Sequence, residues 1–274
     1  MIWTPIRWHD WQAYRAEHAD VEIVVGVSAG PRILRFGLIG GPNLLVDRDP
    51  TDLRVGQWRL FGGHRLSVAP EGHSSYLPDN APCEVTIDGP RLTAARPLGR
   101  AHTRRALTIT PAITDGPGFD LLHRLDFMGP GRWSGALWAI TCVPPVGLVT
   151  SPATSGLRHW SQHRDPLARA QFAASPGGEI VVAPNARRAK AGWYSTAGRI
   201  VHHQPEGTFV IETPYVPPRS ACVDRGCNIE VFTCAHFLEL ETLGPRTSLA
   251  PGQSVTHAQR WCRLPPSYSN SFSS

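Results

Sequence analysis

The sequence predicts an all-β domain of two large, mainly antiparallel packed sheets with few short helices, and three observations carry that prediction. Gly and Pro contribute 26 residues each to a chain of 274, well above the roughly 12% of average usage, which leaves little room for long helices. These breakers stand singly between apolar segments, so they mark turns and not a disordered or collagen-like tract. β-branched and aromatic runs recur at intervals of about 8 to 15 residues, the cadence of a sandwich. A chain of this length buries a substantial core without disulfides or metals.

Residues 3–18 have helix-compatible spacing, with Trp11, Tyr14 and Arg15 following Asp10 as an N-cap, so residues 1–20 read as a lead-in segment. From Val21 the pattern turns to strands: VEIVVGV, RILRFGLIG, NLLVD, HRLSVAP, CEVTIDGPRLTAA, ALTITPAI, DLLHRLDFM and GALWAITCV follow one another. A connection rich in Pro, Gly and Ser (PPVGLVTSPATSG) and a short helix at DPLARAQFA lead into EIVVAPN, RIVHH, TFVIETPYV, CNIEVFTCA, FLELETLG and SVTHAQRWCRL. The connection is apolar enough to pack and both flanks are strand-like, so residues 1–274 read as one domain, with a polar, mobile tail over 265–274.

The net charge of +5 comes almost wholly from Arg, since Lys190 is the only lysine. The densest basic cluster, Arg91, Arg96, Arg100, Arg104 and Arg105, has no aromatic interleaving and no helical arm, which argues for a solvated face and against a nucleic-acid partner. Cys83, Cys142, Cys222, Cys227, Cys234 and Cys262 form no C-x-x-C pair, so neither a zinc site nor any other metal or cofactor is expected. The amino-terminal MIWTPIRWHDW lacks the apolar centre of a signal peptide, and the longest apolar run, LWAITCVPPVGLV, is short and holds two prolines. The expectation is a cytoplasmic protein with reduced thiols and no membrane partner.

Three segments concentrate chemistry. In WRLFGGHRLSVAPEGHSSYLPDN, Gly62 and Gly63 permit a tight bend that places His64 and Arg65 directly after it, with Glu71, Asp79 and Asn80 following. In PNARRAKAGWYS, Lys190 stands beside Arg187, Arg188 and two aromatics and suits an anionic or hydroxyl-bearing ligand. In CNIEVFTCAHFLELETLGP, a period of two puts Asn228, Glu230 and Phe232 on one face and Phe237, Glu239, Glu241 and Leu243 on one face of the next strand. Glu239 and Glu241 then lie about 7 Å apart, in a setting apolar enough to raise a carboxylate pKa and poise it for acid or base work. On pattern alone the first segment reads more readily as a solvent-exposed hairpin end and the second as a basic loop or helical turn facing water, and the third equally as an antiparallel strand with one wet face. No phosphate-cradling Gly loop, G-x-S-x-G elbow or H-E-x-x-H stretch occurs.

Nearly the whole chain resembles the galactose mutarotase-like superfamily, the β-supersandwich proteins that include aldose 1-epimerases and hexose-phosphate epimerases. The resemblance rests on VEIVVGVSAGPRILRFGLIGGPNLL, on Arg59 before Gly62 and Gly63, and best on LELETLGP followed by LAPGQSVTHAQRW. The combination of GGHR, APE, PDN and ELETLGP is closer to a DUF4380-type branch than to the true epimerases. The resemblance implies a cofactor-free enzyme, monomeric or homodimeric, acting on a small carbohydrate or sugar-like metabolite. It maps Glu241 onto the catalytic Glu, and Pro251, Gly252 and Gln253 onto the turn after it. His64 becomes the candidate acid, with Arg65, Glu71, Lys190 and Glu230 orienting substrate. The chain departs from the family at residues 137–147, where a His serves as general acid in epimerases and none occurs here. That departure keeps two further readings open: a carbohydrate-binding protein using some of the nine Trp rings, or a lyase or isomerase on the same scaffold.

Overall fold

Alternation of inward and outward side chains builds the sandwich. In the strand Gly118–Phe127, Phe119, Leu121, Leu125 and Phe127 point into the core while Leu122 and Arg124 face water. The structure, a computed structural model, describes residues 1–48, 51–112, 117–162 and 164–265. Within these, one antiparallel sheet of ten strands runs in the order Phe172–Ala174, Glu179–Val182, Leu148–Pro152, Arg199–Gln204, Gly207–Glu212, Ser254–Leu264, Gly118–Phe127, Thr103–Pro111, Arg91–Leu98 and Glu84–Asp88. The strand latest in the chain, Ser254–Leu264, thus lies inside its sheet, between Gly207–Glu212 and Gly118–Phe127.

The second sheet has eleven strands: Thr4–Trp8, Trp11–His18, Val21–Gly26, Arg32–Leu38, His64–Ala69, Trp133–Val143, Leu238–Leu243, Ile229–Thr233, Ala189–Trp193 and Arg158–His159, with Thr247–Leu249 also pairing to Trp133–Val143. The inner faces of the two sheets meet in a core centred on Phe36, whose ring lies 6.2 Å from Phe119, 5.2 Å from Phe209 and 5.5 Å from Trp261. The outer face of the eleven-stranded sheet is covered at its middle. Trp58 and Leu60, from the long excursion between Arg32–Leu38 and His64–Ala69, pack with Cys142 and Phe237 there. The central strand Trp133–Val143 is consequently buried on both sides from Gly135 onward.

Residues 3–18 form no helix. They supply two strands that pair with each other and then with Val21–Gly26. His9, at a φ of 52°, makes the turn in which Asp10 also stands, so Asp10 is a hairpin residue and the long-range ladder overrides the local spacing. NLLVD is not a strand either: the Asn43 side chain binds Leu34 O at 2.8 Å and accepts from the Phe36 and Leu45 amides, which holds the segment in a bend. DPLARAQFA is helical only over Pro166–Arg169, where Asp165 caps the Leu167 amide at 3.0 Å, and Phe172–Ala174 then joins a sheet. Of the tail expected over 265–274, residues 266–274 lie outside the described residues. No helix among the described residues is long and apolar enough to cross a membrane.

Candidate active site

Strand register gathers the polar residues of the covered face. Arg65 and Glu241 both lie opposite Ile140, Glu241 opposite Glu230, and Glu230 opposite Gly192, so one row crosses five strands. A parallel row carries Cys142, Glu239, Phe232 and Lys190. Lys190 therefore reaches diagonally toward both Glu230 and Glu241. Glycines make two of these placements possible. Gly63, with a φ of 67°, has Ile33 O where a Cβ would stand, so the chain bends tightly into His64 and Arg65. At Gly192 a Cβ would stand 2.9 Å from Glu230 Cγ, so only glycine leaves room for that side chain.

The Lys190 ammonium lies 2.8 Å from Glu241 Oε2 and 2.9 Å from Glu230 Oε2, above the rings of Trp138 and Trp160 at 4.5 and 5.3 Å. Trp138 Nε1 donates to the same Glu241 oxygen at 2.7 Å. Burial works against the Lys190 charge, but Glu241 and Glu230 outweigh it and hold its pKa above the ordinary value. Burial pushes Glu230 well above the usual carboxylate range, with Glu241 and Asp224 adding to the rise against the pull of Lys190. The cluster is thus one ammonium held between two buried carboxyl groups.

Above it opens a cavity of about 260 Å³, walled by Trp58, Tyr76, Trp138, Phe232 and Phe237 and carrying Arg65, Ser67, Glu71, Arg188, Lys190 and Glu239 as polar groups. Arg65 Nη2 lies 3.7 Å from Glu239 Oε1, and its guanidinium stacks on Trp58 at 4.6 Å. Burial, with Glu241 and Glu71 behind it, pushes the Glu239 carboxyl up to about 7 against the pull of Arg65 and Lys190. The Tyr76 hydroxyl donates to Glu71, and burial together with that bond raises its pKa.

The structure brings Arg65, Glu71 and Lys190 into one cavity. Glu241 and Glu230 lie beneath its floor, fully buried, and meet it through Lys190. His64 is not brought there. It points from the opposite face of its strand into the space between the sheets, where Nδ1 contacts Thr141 Oγ1 at 2.8 Å and Nε2 contacts His123 Nε2 at 3.0 Å. His257 continues this polar seam, 2.8 Å from Thr242 Oγ1 and stacked at 6.4 Å on His123. Burial lowers all three imidazoles, His64 well below its ordinary value, His123 to about 3 and His257 to about 4. Among the described residues no group of His, Cys, Asp and Glu is arranged to hold a metal ion. The sequence pattern singles out neither Trp58 nor Trp138, and it names Arg188 only as a neighbour of Lys190. The alternation of LWAIT puts Trp138 and Ile140 on one face, and that signal was there to be used.

No protein-family model matches the sequence, and no curated protein matches it. Solved structures do. A galactose mutarotase-like protein from Lactobacillus casei superposes with a TM-score of 0.64 over 92% of this chain and 100% of its own, at 10% identity. The fold is that of the galactose mutarotase-like proteins. A candidate aldose 1-epimerase from Escherichia coli K12 agrees over 92% of this chain and 99% of its own, with a TM-score of 0.57 and 13% identity. A TPR-domain containing protein from Parabacteroides distasonis gives 0.67 over 96% of this chain at 13% identity, and this chain spans about half of it (49%). At such identities the galactose mutarotase-like fold is what the likeness establishes.

Proposed function

We propose that the cavity is a carbohydrate site of epimerase or mutarotase type. The observation that carries this reading is the sharing of one aromatic-walled cavity by a carboxyl titrating near 7, Glu239, and a fixed ammonium, Lys190. Interconverting the anomers of a sugar requires a base for the hydroxyl proton on the anomeric carbon and an acid for the ring oxygen, with the roles exchanged as the ring recloses. Ionised Glu239 takes the first proton. Lys190 has three N–H donors, two of which face carboxylates; the third donates its proton to the ring oxygen as the ring opens and takes it back as the ring recloses. In this scheme Glu241, which the resemblance makes the base, anchors Lys190, and His64 takes no part because it faces the other way. Trp58, Trp138 and Phe232, with Arg65, Lys190 and Arg188 over their rings, wall the cavity and supply apolar contact for a sugar ring.

The test is anomer exchange followed by proton NMR and polarimetry over a sugar panel. Glu239→Gln is expected to reduce kcat by ~10²-fold or more while leaving sugar binding measurable by calorimetry. Unchanged exchange rates in that variant would sink the assignment. The engagement of Glu241 by both Lys190 and Trp138 favours a second reading, a carbohydrate-binding protein without turnover. Sugar binding by the wild-type chain with no acceleration of anomer exchange would select it.

A further inference from the structure

Behind Arg65, at the wall of the cavity, three arginines share two carboxylate partners. Arg32 and Arg65 stand side by side on neighbouring strands, next to the opposed pair Ile33 and His64, and Arg105 is near enough to both to repel them electrostatically. All three residues are more than nine-tenths buried, at 0%, 8% and 6% exposure. Among the described residues, their ion pairs are Arg32 with Asp79 at 3.0 Å and Arg65 with Glu239 at 3.7 Å. Arg105 bonds only to carbonyls, those of Leu66 and Ser74. Five of their nitrogens, Nε and Nη1 of Arg32, Nε and Nη1 of Arg65, and Nε of Arg105, bond to no atom of the described residues; these five are sealed from the cavity and act on it only through their charge.

A buried charge without a partner is costly, and a cluster of like charges is costlier. Stacking of Arg65 on Trp58 and of Arg32 on Phe61 at 5.1 Å occupies guanidinium faces and adds no partner to their N–H edges. Arg65 lines the cavity, and Arg188, stacked on Phe232 at 5.5 Å, stands on its wall as a second cation.

We infer that this end of the cavity receives an anionic group of the ligand, and that the ligand is a sugar acid whose carboxylate is held by Arg65 and Arg188. The inference rests on the reading of the cavity as a sugar site. Two features favour a carboxylate over a phosphate. The cavity, at about 260 Å³, lies just below the ~300 Å³ at which drug-sized pockets begin, enough for one sugar ring with a small planar substituent. Glu71 and Glu239 face the same space, so a monoanion meets less repulsion than a dianion. Guanidinium geometry also suits a planar carboxylate.

The experiment is calorimetric titration of the full chain with hexoses of the galacto, gluco and manno series, each as the neutral sugar, the uronic acid and the 6-phosphate, with anomer exchange followed in parallel. In at least one series the uronic acid is expected to bind ~10-fold or more tightly than its neutral counterpart, an advantage that shrinks as salt rises. That ratio is expected to fall to within about threefold in Arg188→Gln, an exposed substitution, and in Arg65→Gln if it folds. Equal affinity for acid and neutral sugar, a preference for the 6-phosphate, a ratio unmoved by Arg188→Gln, or no binding by any of the nine would overturn the inference. Tight uronate binding without faster anomer exchange would overturn the epimerase reading and support this one. Exchange of neutral sugars with no preference for the acid would do the reverse.

Discussion

The centre of the eleven-stranded sheet has a buried polar cluster against each face, the inner one shared with the ten-stranded sheet, and the two clusters handle charge in opposite ways. On the outer face Lys190, Glu230 and Glu241 form ion pairs beneath the cavity. On the inner face His64, His123 and His257 stay neutral and bond to Thr141, Thr242 and each other. Neighbouring residues feed the two sides: Arg65 outward and His64 inward, Glu241 outward and Thr242 inward. The space between the sheets accepts polar groups that can satisfy one another uncharged. The cavity face accepts full charges, paired in the floor and partly unpaired in the wall. A charge kept beside a cavity can act on a ligand, whereas the inner seam only specifies how the sheets meet.

The largest expected effect comes from removing the cation of the outer cluster. Lys190→Met leaves Glu230 and Glu241 buried with no countercharge and should cost about 3–5 kcal/mol in urea unfolding. A loss below 1 kcal/mol would show that the pair is not buried as described. Gly192→Ala is next: its new Cβ meets Glu230 Cγ and Ile229 O, and a loss of about 1–3 kcal/mol is expected from overpacking.

The smallest effects are slopes, and they have opposite signs on the two faces. An unfolded His binds its proton near pH 6.5, but His123 in the fold declines it until about pH 3. The unfolded state therefore binds more protons across that window, and stability falls as pH falls, by up to ~1.4 kcal/mol per pH unit for this one group. Glu239 holds its proton up to about 7 in the fold, from an ordinary value of 4.5. The stability it contributes is present at low pH and lost as pH rises from 4.5 to 7. His123→Gln should flatten the stability profile between pH 6 and 4, and Glu239→Gln should make it rise more steeply between pH 5 and 7, each by ~1.4 kcal/mol per unit. Slopes that change in the same direction would erase the contrast between the faces.

Much of this was open to reading in the chain itself. The fold class followed from breaker spacing, and Glu239 with Glu241 followed from a period of two, because both depend only on local pattern. Arg65, Glu71 and Lys190 were picked as local clusters of unlike residues, and the register of distant strands then set them together. Helix spacing misled over residues 3–18, where pairing with Val21–Gly26 decides the outcome. His64 misled for a related reason. Its neighbours in sequence are polar, but which face it takes is fixed by Ile33, its inward-facing partner on Arg32–Leu38. The sealing of Glu241 under Lys190 and Trp138 depends on side-chain reach across three strands, which no sequence period encodes.

The position of Ser254–Leu264 within the ten-stranded sheet has a consequence for how the chain acquires its shape. Strands from residues 84–127 and from 148–212 flank it and do not pair with one another. During synthesis the two halves of this sheet must wait, each with an unpaired edge at Gly118–Phe127 or Gly207–Glu212, until the intervening strand arrives. Open edges of that kind recruit other chains. The period before this strand is made is therefore one in which the chain is open to aggregation, and a nascent chain halted there is a form a chaperone would have to shield.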